Sequence, residues 1–130
     1  MGPAVPDEDG VVASATEVLE ISEVARALEG PDSARLFSEA ERLFARSKSD
    51  PVRRLAARLA AKRAAARLLG LGLGPEDFEV VRAPGGPPRL ALSERAARRL
   101  RDLGGTKVLV SLTHGREHAA ASVLVIAESP

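Results

Sequence analysis

RRLAARLAAKRAAARLLGLGLG, Arg53 to Gly74, is the stretch on which the fold turns. From Arg53 to Arg67 it carries six basic side chains, Arg53, Arg54, Arg58, Lys62, Arg63 and Arg67, and no acid. Asp50-Pro51 opens a helix ahead of it, and Gly70, Gly72 and Gly74 close that helix. The spacing therefore predicts one long helix to about Leu69. On it Arg54, Arg58 and Lys62 recur at i, i+4 and i+8 in one stripe, and Arg63 and Arg67 form a second stripe beside it. Like charges at that spacing repel by roughly 0.2–0.5 kcal/mol per pair, so something must compensate them. Three surroundings would do so: bulk solvent, a polyphosphate gripped by guanidinium forks, or nucleic acid. The third is disfavoured, because the chain has no Trp or Tyr on which bases would stack and a formal net charge of only +1.

Working outward, 130 residues suffice for one domain with one core. With 45% hydrophobic residues but only three Phe, that core is aliphatic, built from Ala, Leu and Val. The absence of Cys excludes disulfides and thiolate chemistry. No run reaches the roughly 18 apolar residues of a membrane span, and MGPAVPDEDG is acidic where a secretory signal is basic, so a cytoplasmic protein with no membrane partner is expected. Charge is uneven along the chain: Asp7, Glu8, Asp9, Glu17, Glu20 and Glu23 precede any base.

Residues 1–10 read as a flexible acidic tail, and 11–130 as a single domain. A strand is expected over 11–21 and a helix over 22–28, with Ser22 as its N-cap. One further helix is expected over 33–46 from the spacing of Ala34, Leu36, Phe37, Ala40, Leu43 and Phe44. Past the long helix, strands at 78–82 and 89–92 flank the turn Pro84-Gly85-Gly86-Pro87-Pro88. Ser93 caps a helix to Leu103, and strands at 108–113 and 119–127 flank a turn from His114 to His118. These elements predict an α+β fold, an antiparallel sheet packed on one long helix. Gly70-Leu71-Gly72-Leu73-Gly74 follows a helix and lacks a Lys-Ser/Thr pair, so by itself it reads as a flexible helix exit. His114 and His118 have no third partner spaced for zinc, and Ser111 with His114 has no nucleophile-elbow context.

The order of segments from Ala15 to Ser129 resembles the holo-acyl-carrier-protein synthase family, the small bacterial 4'-phosphopantetheinyl transferases. ATEVLEI, Ala15 to Ile21, stands where that family has the strand G-T-D-I-V-E-I. RLAAKRA, Arg58 to Ala64, followed by GLGLG, is similar to R-F-A-A-K-E-A with its Gly-rich exit. FEV at Phe78 to Val80 and GPPRL at Gly86 to Leu90 match F-E-V and G-K-P-x-L, and VSLTH at Val110 to His114 with HAAA at His118 to Ala121 matches the last two strands.

The resemblance implies a 4'-phosphopantetheinyl transferase-like fold and a homotrimer with coenzyme A at each subunit interface. It implies transfer of the phosphopantetheine arm to a serine of an acyl carrier protein, with magnesium bridging the pyrophosphate. It places Arg58, Lys62 and Arg67 against the anionic groups of coenzyme A, brings Gly70, Gly72 and Ser111 into the same site, and makes His114 the active-site histidine. The departures fall at the metal. Glu17 replaces the strand Asp, and Arg63 replaces the helix Glu that follows the Lys. Leu59, Pro87 and Leu109 replace the family's Phe, Lys and His. Glu17 is then the one metal-ligating side chain left, and its charge opposite Arg63 predicts an ion pair within about 4 Å. Glu17, Arg63 and His114 are the implied catalytic set. Two outcomes follow: a transferase with non-standard metal use, or a catalytically silent trimer that binds coenzyme A or a carrier protein.

Overall fold

The computed structural model describes residues 10–70 and 72–128. The tail expected over 1–10 lies outside them except for Gly10, which begins the first strand. Strands β1 (Gly10–Glu20), β4 (Lys107–His114) and β5 (His118–Ala127) make a three-stranded antiparallel sheet in the order β1-β5-β4. Strands β2 (Phe78–Arg82) and β3 (Pro88–Leu92) form a separate hairpin, so the single sheet expected from sequence is two. Helix α4 (Pro51–Leu69) is as long as its Pro and Gly boundaries predict. Four shorter helices accompany it among the described residues: α1 (Ile21–Leu28), α2 (Ser33–Leu36), α3 (Glu39–Arg46) and α5 (Glu94–Asp102).

Strand alternation decides which way the sheet faces. Ala119, Ala121, Val123 and Val125 of β5 turn inward and are buried. Against them α4 sets Ala56, Ala57, Ala60, Ala61, Ala64 and Ala65, also buried, so small side chains on both sides let the helix lie close across the sheet. Leu19, Leu55, Leu59 and Leu69 fill the spaces left, with Phe37 and Phe78 as the aromatic members of an otherwise aliphatic core. The opposite face of the sheet stays uncovered among the described residues and presents Val12, Val18 and Leu109 to solvent, Val18 being 59% exposed.

Two local expectations are corrected. The helix expected over 33–46 breaks at Phe37, which is extended, and restarts at Ser38. Ser38 Oγ accepts from the Glu41 backbone N–H at 3.1 Å, and the Ser38 N–H donates to Glu41 Oε1 at 2.8 Å. This reciprocal cap satisfies two otherwise orphaned donors, and it overrides the continuous apolar spacing. At α1 the N-cap is Glu20, whose backbone N–H points to Glu23 Oε1 at 3.4 Å, and Ser22 lies inside the first turn.

Candidate functional site

The two basic stripes of α4 meet different surroundings. Lys62 is only 2% exposed. Its Nζ donates to Glu41 Oε1 at 2.6 Å and to the Leu36 carbonyl at 2.8 Å, and it lies 5.3 Å from the centre of the Phe37 ring. Glu41 Oε2 accepts the Val80 backbone N–H at 2.8 Å, so one carboxylate joins α3, α4 and β2. Burial pushes the Lys62 ammonium below its ordinary range, and the Glu41 hydrogen bond pulls it back. Lys62 borders a cleft with Arg35, Phe37, Ser38, Glu76 and Glu79, away from the other expected ligand groups. Glu41 was invisible as a partner in the sequence, although Ser38-x-x-Glu41 carries the capping signal.

One turn earlier, Arg58 is 3% exposed and incompletely bonded. Its guanidinium stacks 4.2 Å from the Phe44 ring centre, Nη1 reaches the Arg54 carbonyl only at 3.5 Å, and Nε has no hydrogen-bond partner among the described residues. A cleft of about 260 Å³ opens beside it, lined by Arg54, Arg58, Arg82, Leu112, Thr113 and His114. A neighbouring cleft shares Arg54 and Arg82 and adds Phe44 and Lys48. Asp50 is the carboxylate that answers this group: Oδ1 accepts from Arg54 Nε at 3.0 Å, and Oδ2 lies 3.8 Å from His114 Nε2. The Arg54 hydrogen bond holds the Asp50 carboxyl below its usual range. Burial pushes the Arg58 guanidinium down, Glu41 opposes that, and Arg82 and Arg54 add to it. A buried cation with an unmet N–H, bordering a cleft among other cations, can accept an anion. Arg82, Asp50, Phe44 and Lys48 were missed in the sequence. Arg82 comes from a hairpin remote along the chain, and no spacing signals it.

The second stripe meets the edge strand β1. Arg67 Nη1 donates to Glu17 Oε1 at 2.8 Å, and Arg67 Nη2 donates to the Thr16 carbonyl at 2.7 Å. The expected Glu17–Arg63 pair does not form. Arg67 stands level with Thr16 and Glu17 and engages both at once. Arg63, one turn earlier, is exposed and makes no ion pair among the described residues. Magnesium takes an octahedron of oxygens and is held through carboxylates. Here one carboxylate is already bound by a guanidinium, the second family position is a cation, and no three His, Cys, Asp or Glu side chains cluster among the described residues. These residues do not fit magnesium.

Gly70 ends α4 at a φ of 108°, in the region that favours glycine, and a Cβ there would come within 2.6 Å of Arg99 Nη2. Arg99 Nε donates to the Leu69 carbonyl at 2.8 Å, closing the helix end. Gly72 also has positive φ, and a Cβ there would meet nothing within 4 Å among the described residues beyond its chain neighbours. Ser111 points to the uncovered face of the sheet, opposite to His114, and pairs in register with Ser122, whose Oγ lies 3.0 Å from Thr16 Oγ1. Within one chain the structure therefore joins His114 to Arg58 and joins Glu17 to Arg67. It leaves Lys62 in the core and Ser111 on the other face.

No protein-family model matches the chain. Among curated proteins it is 40% identical over 114 residues to a holo-(acyl-carrier-protein) synthase of Moorella thermoacetica, covering 84% of this chain and 89% of that protein. It is 49% identical over 81 residues to one of Nitratidesulfovibrio vulgaris, where the match spans 59% of this chain and 65% of that protein's length. Among solved structures, a holo-(acyl-carrier-protein) synthase of Bacillus anthracis in complex with CoA (3',5'-ADP) superposes with a TM-score of 0.70 at 26% identity, covering 91% of this chain and 98% of that one. The architecture is thus the α+β fold of the acyl carrier protein synthases. The chain belongs to the holo-(acyl-carrier-protein) synthase family.

Proposed function

We propose that this protein is a cytoplasmic homotrimer that transfers 4'-phosphopantetheine from coenzyme A to a serine of an acyl carrier protein, with non-standard metal use. The observation that carries this reading is the buried Arg58 with its unpartnered Nε, opening beside Arg54, Arg82 and His114. Such a cleft suits the anionic groups of coenzyme A, and the Bacillus anthracis relative was solved in complex with CoA (3',5'-ADP). In the transfer, the serine oxygen forms a bond to the phosphorus bearing the pantetheine arm. The bond from that phosphorus to the bridging oxygen breaks, and 3',5'-ADP leaves with the electron pair. His114, partly buried beside Asp50, takes the serine proton or positions the water that does. The exposed Val12, Val18 and Leu109 support the trimer, because a one-layer sheet with an apolar outer face needs a partner. In that assembly Ser111, Gly70 and Gly72 reach the ligand from the sheet face and the α4 exit, while Lys62 acts by fixing α4 against α3.

Incubation with coenzyme A and an apo carrier protein tests the reading by mass spectrometry, and the carrier should gain one phosphopantetheine group. The prior occupation of Glu17 by Arg67 favours a second reading, a silent protein that holds coenzyme A or the carrier without chemistry. Coenzyme A binding without any mass gain would select it.

A further inference from the structure

We infer that Arg63 and Arg67 together replace the divalent cation, so that the site engages pyrophosphate without metal. This rests on the coenzyme A reading above, in which the trimer interface brings the Arg63–Arg67 stripe of one subunit and the Arg58–His114 cleft of the next to the same ligand. A divalent cation brings two positive charges to a pyrophosphate, and so do two guanidinium groups. Arg67 already lies at the carboxylate that a metal would need, with both terminal nitrogens committed, to Glu17 at 2.8 Å and to the Thr16 carbonyl at 2.7 Å. Its side chain is nonetheless more than half exposed, so an incoming phosphate reaches the guanidinium without unpacking the core. Arg63 stands one turn away on the same stripe, about 5–6 Å between Cβ atoms. It is exposed and unpaired among the described residues. Arg63 thus presents its whole fork to one phosphate, and Arg67 presents to the other the N–H groups that Glu17 and Thr16 leave free. Glu17 then acts as a holder of Arg67. It keeps the guanidinium oriented before the ligand arrives, where a metal ligand would have to give its oxygens to the cation.

Titration calorimetry of the full chain with coenzyme A, in EDTA and in millimolar magnesium, tests this. The affinity should be the same in both. In EDTA, Arg63→Ala should weaken binding about tenfold, the loss of one charge-assisted contact, and Arg63→Glu should weaken it further. Magnesium should then partly restore the Arg63→Glu variant, because a second carboxylate joins Glu17. Both substitutions fall on an exposed side chain, so circular dichroism should show an unchanged fold. Wild-type binding that requires magnesium overturns the inference while leaving coenzyme A as the ligand. Unchanged affinity in both Arg63 variants overturns it as well. Failure to bind coenzyme A under either condition overturns both the inference and the ligand reading.

Discussion

Arg54, Arg58 and Lys62 carry the same charge along the same helix as Arg63 and Arg67, yet the two stripes do opposite work. The first is drawn inward because α3 offers it Glu41 and Phe44, and the break before α3 offers it Phe37. The second stays at the surface and meets β1 only at its edge. Basic residues at identical spacing are therefore buried or exposed according to what the neighbouring elements bring. Even within the inward stripe the outcome divides. Lys62 has found its carboxylate, and Arg58 has found an aromatic ring and lacks a full set of acceptors.

The largest expected effect tests that division. Lys62→Glu places a second carboxylate against Glu41 in a dry site. Breaking a buried pair costs about 3–5 kcal/mol, a large share of the stability of a small domain. Arg63→Glu, the same charge reversal one residue on, should change stability by about 0.5 kcal/mol or less. Urea unfolding of the two variants reads the contrast directly, and equal losses would erase it. A smaller effect is expected at Asp77, which is buried at the turn after α4. Its carboxylate accepts from Arg95 at 2.8 Å through both oxygens, from Ser93 Oγ at 2.7 Å and from the Gly74 N–H at 2.8 Å. The Arg95 bond, the largest influence, and the Ser93 and Gly74 bonds hold its carboxyl well below the usual range against the opposing effect of burial. A depressed carboxyl stabilises the fold above its unfolded pKa of about 3.9 and loses that contribution as pH falls toward its folded value. Asp77→Asn should cost about 1–3 kcal/mol at pH 7, and the gap to wild type should begin to narrow below about pH 4 and shrink further as pH falls. A gap independent of pH would assign the loss to packing instead. The smallest effect belongs to the surface stripe: Arg67→Ala removes a half-exposed pair and should cost under about 1 kcal/mol, read as a small shift in thermal midpoint.

Punctuation made most of the fold legible in the sequence. Pro51 and Gly70 bound α4, the Pro84–Pro88 turn marks its hairpin, Ser93 caps α5, and alternation marks β4 and β5. The break at Phe37 was hidden because apolar spacing continues across it, and the Ser38 to Glu41 box was the signal that outweighed it. Which stripe of α4 faces inward was not legible, since Ala and Leu surround the whole helix and periodicity cannot rank its faces. For the same reason Lys62 and Arg58 read alike, although one is paired and one is not. Glu17 choosing Arg67 over Arg63 depends on the height at which β1 crosses the end of α4, which no local pattern encodes. The segment order was enough for the family, because four motifs in sequence constrain a fold more than any one of them constrains a site.

In the proposed reading Arg58 serves the ligand while Lys62 serves the fold, and coenzyme A affinity separates the two. In the paired variant Lys62→Met with Glu41→Gln, the buried charges leave together, an exchange that folded proteins tolerate far better than the loss of one partner. Calorimetry should find coenzyme A bound by this variant as by the wild type, and bound by Arg58→Ala about tenfold or more weakly, with wild-type affinity falling as salt rises. Normal affinity in Arg58→Ala together with lost affinity in the folded Lys62–Glu41 variant would contradict the account.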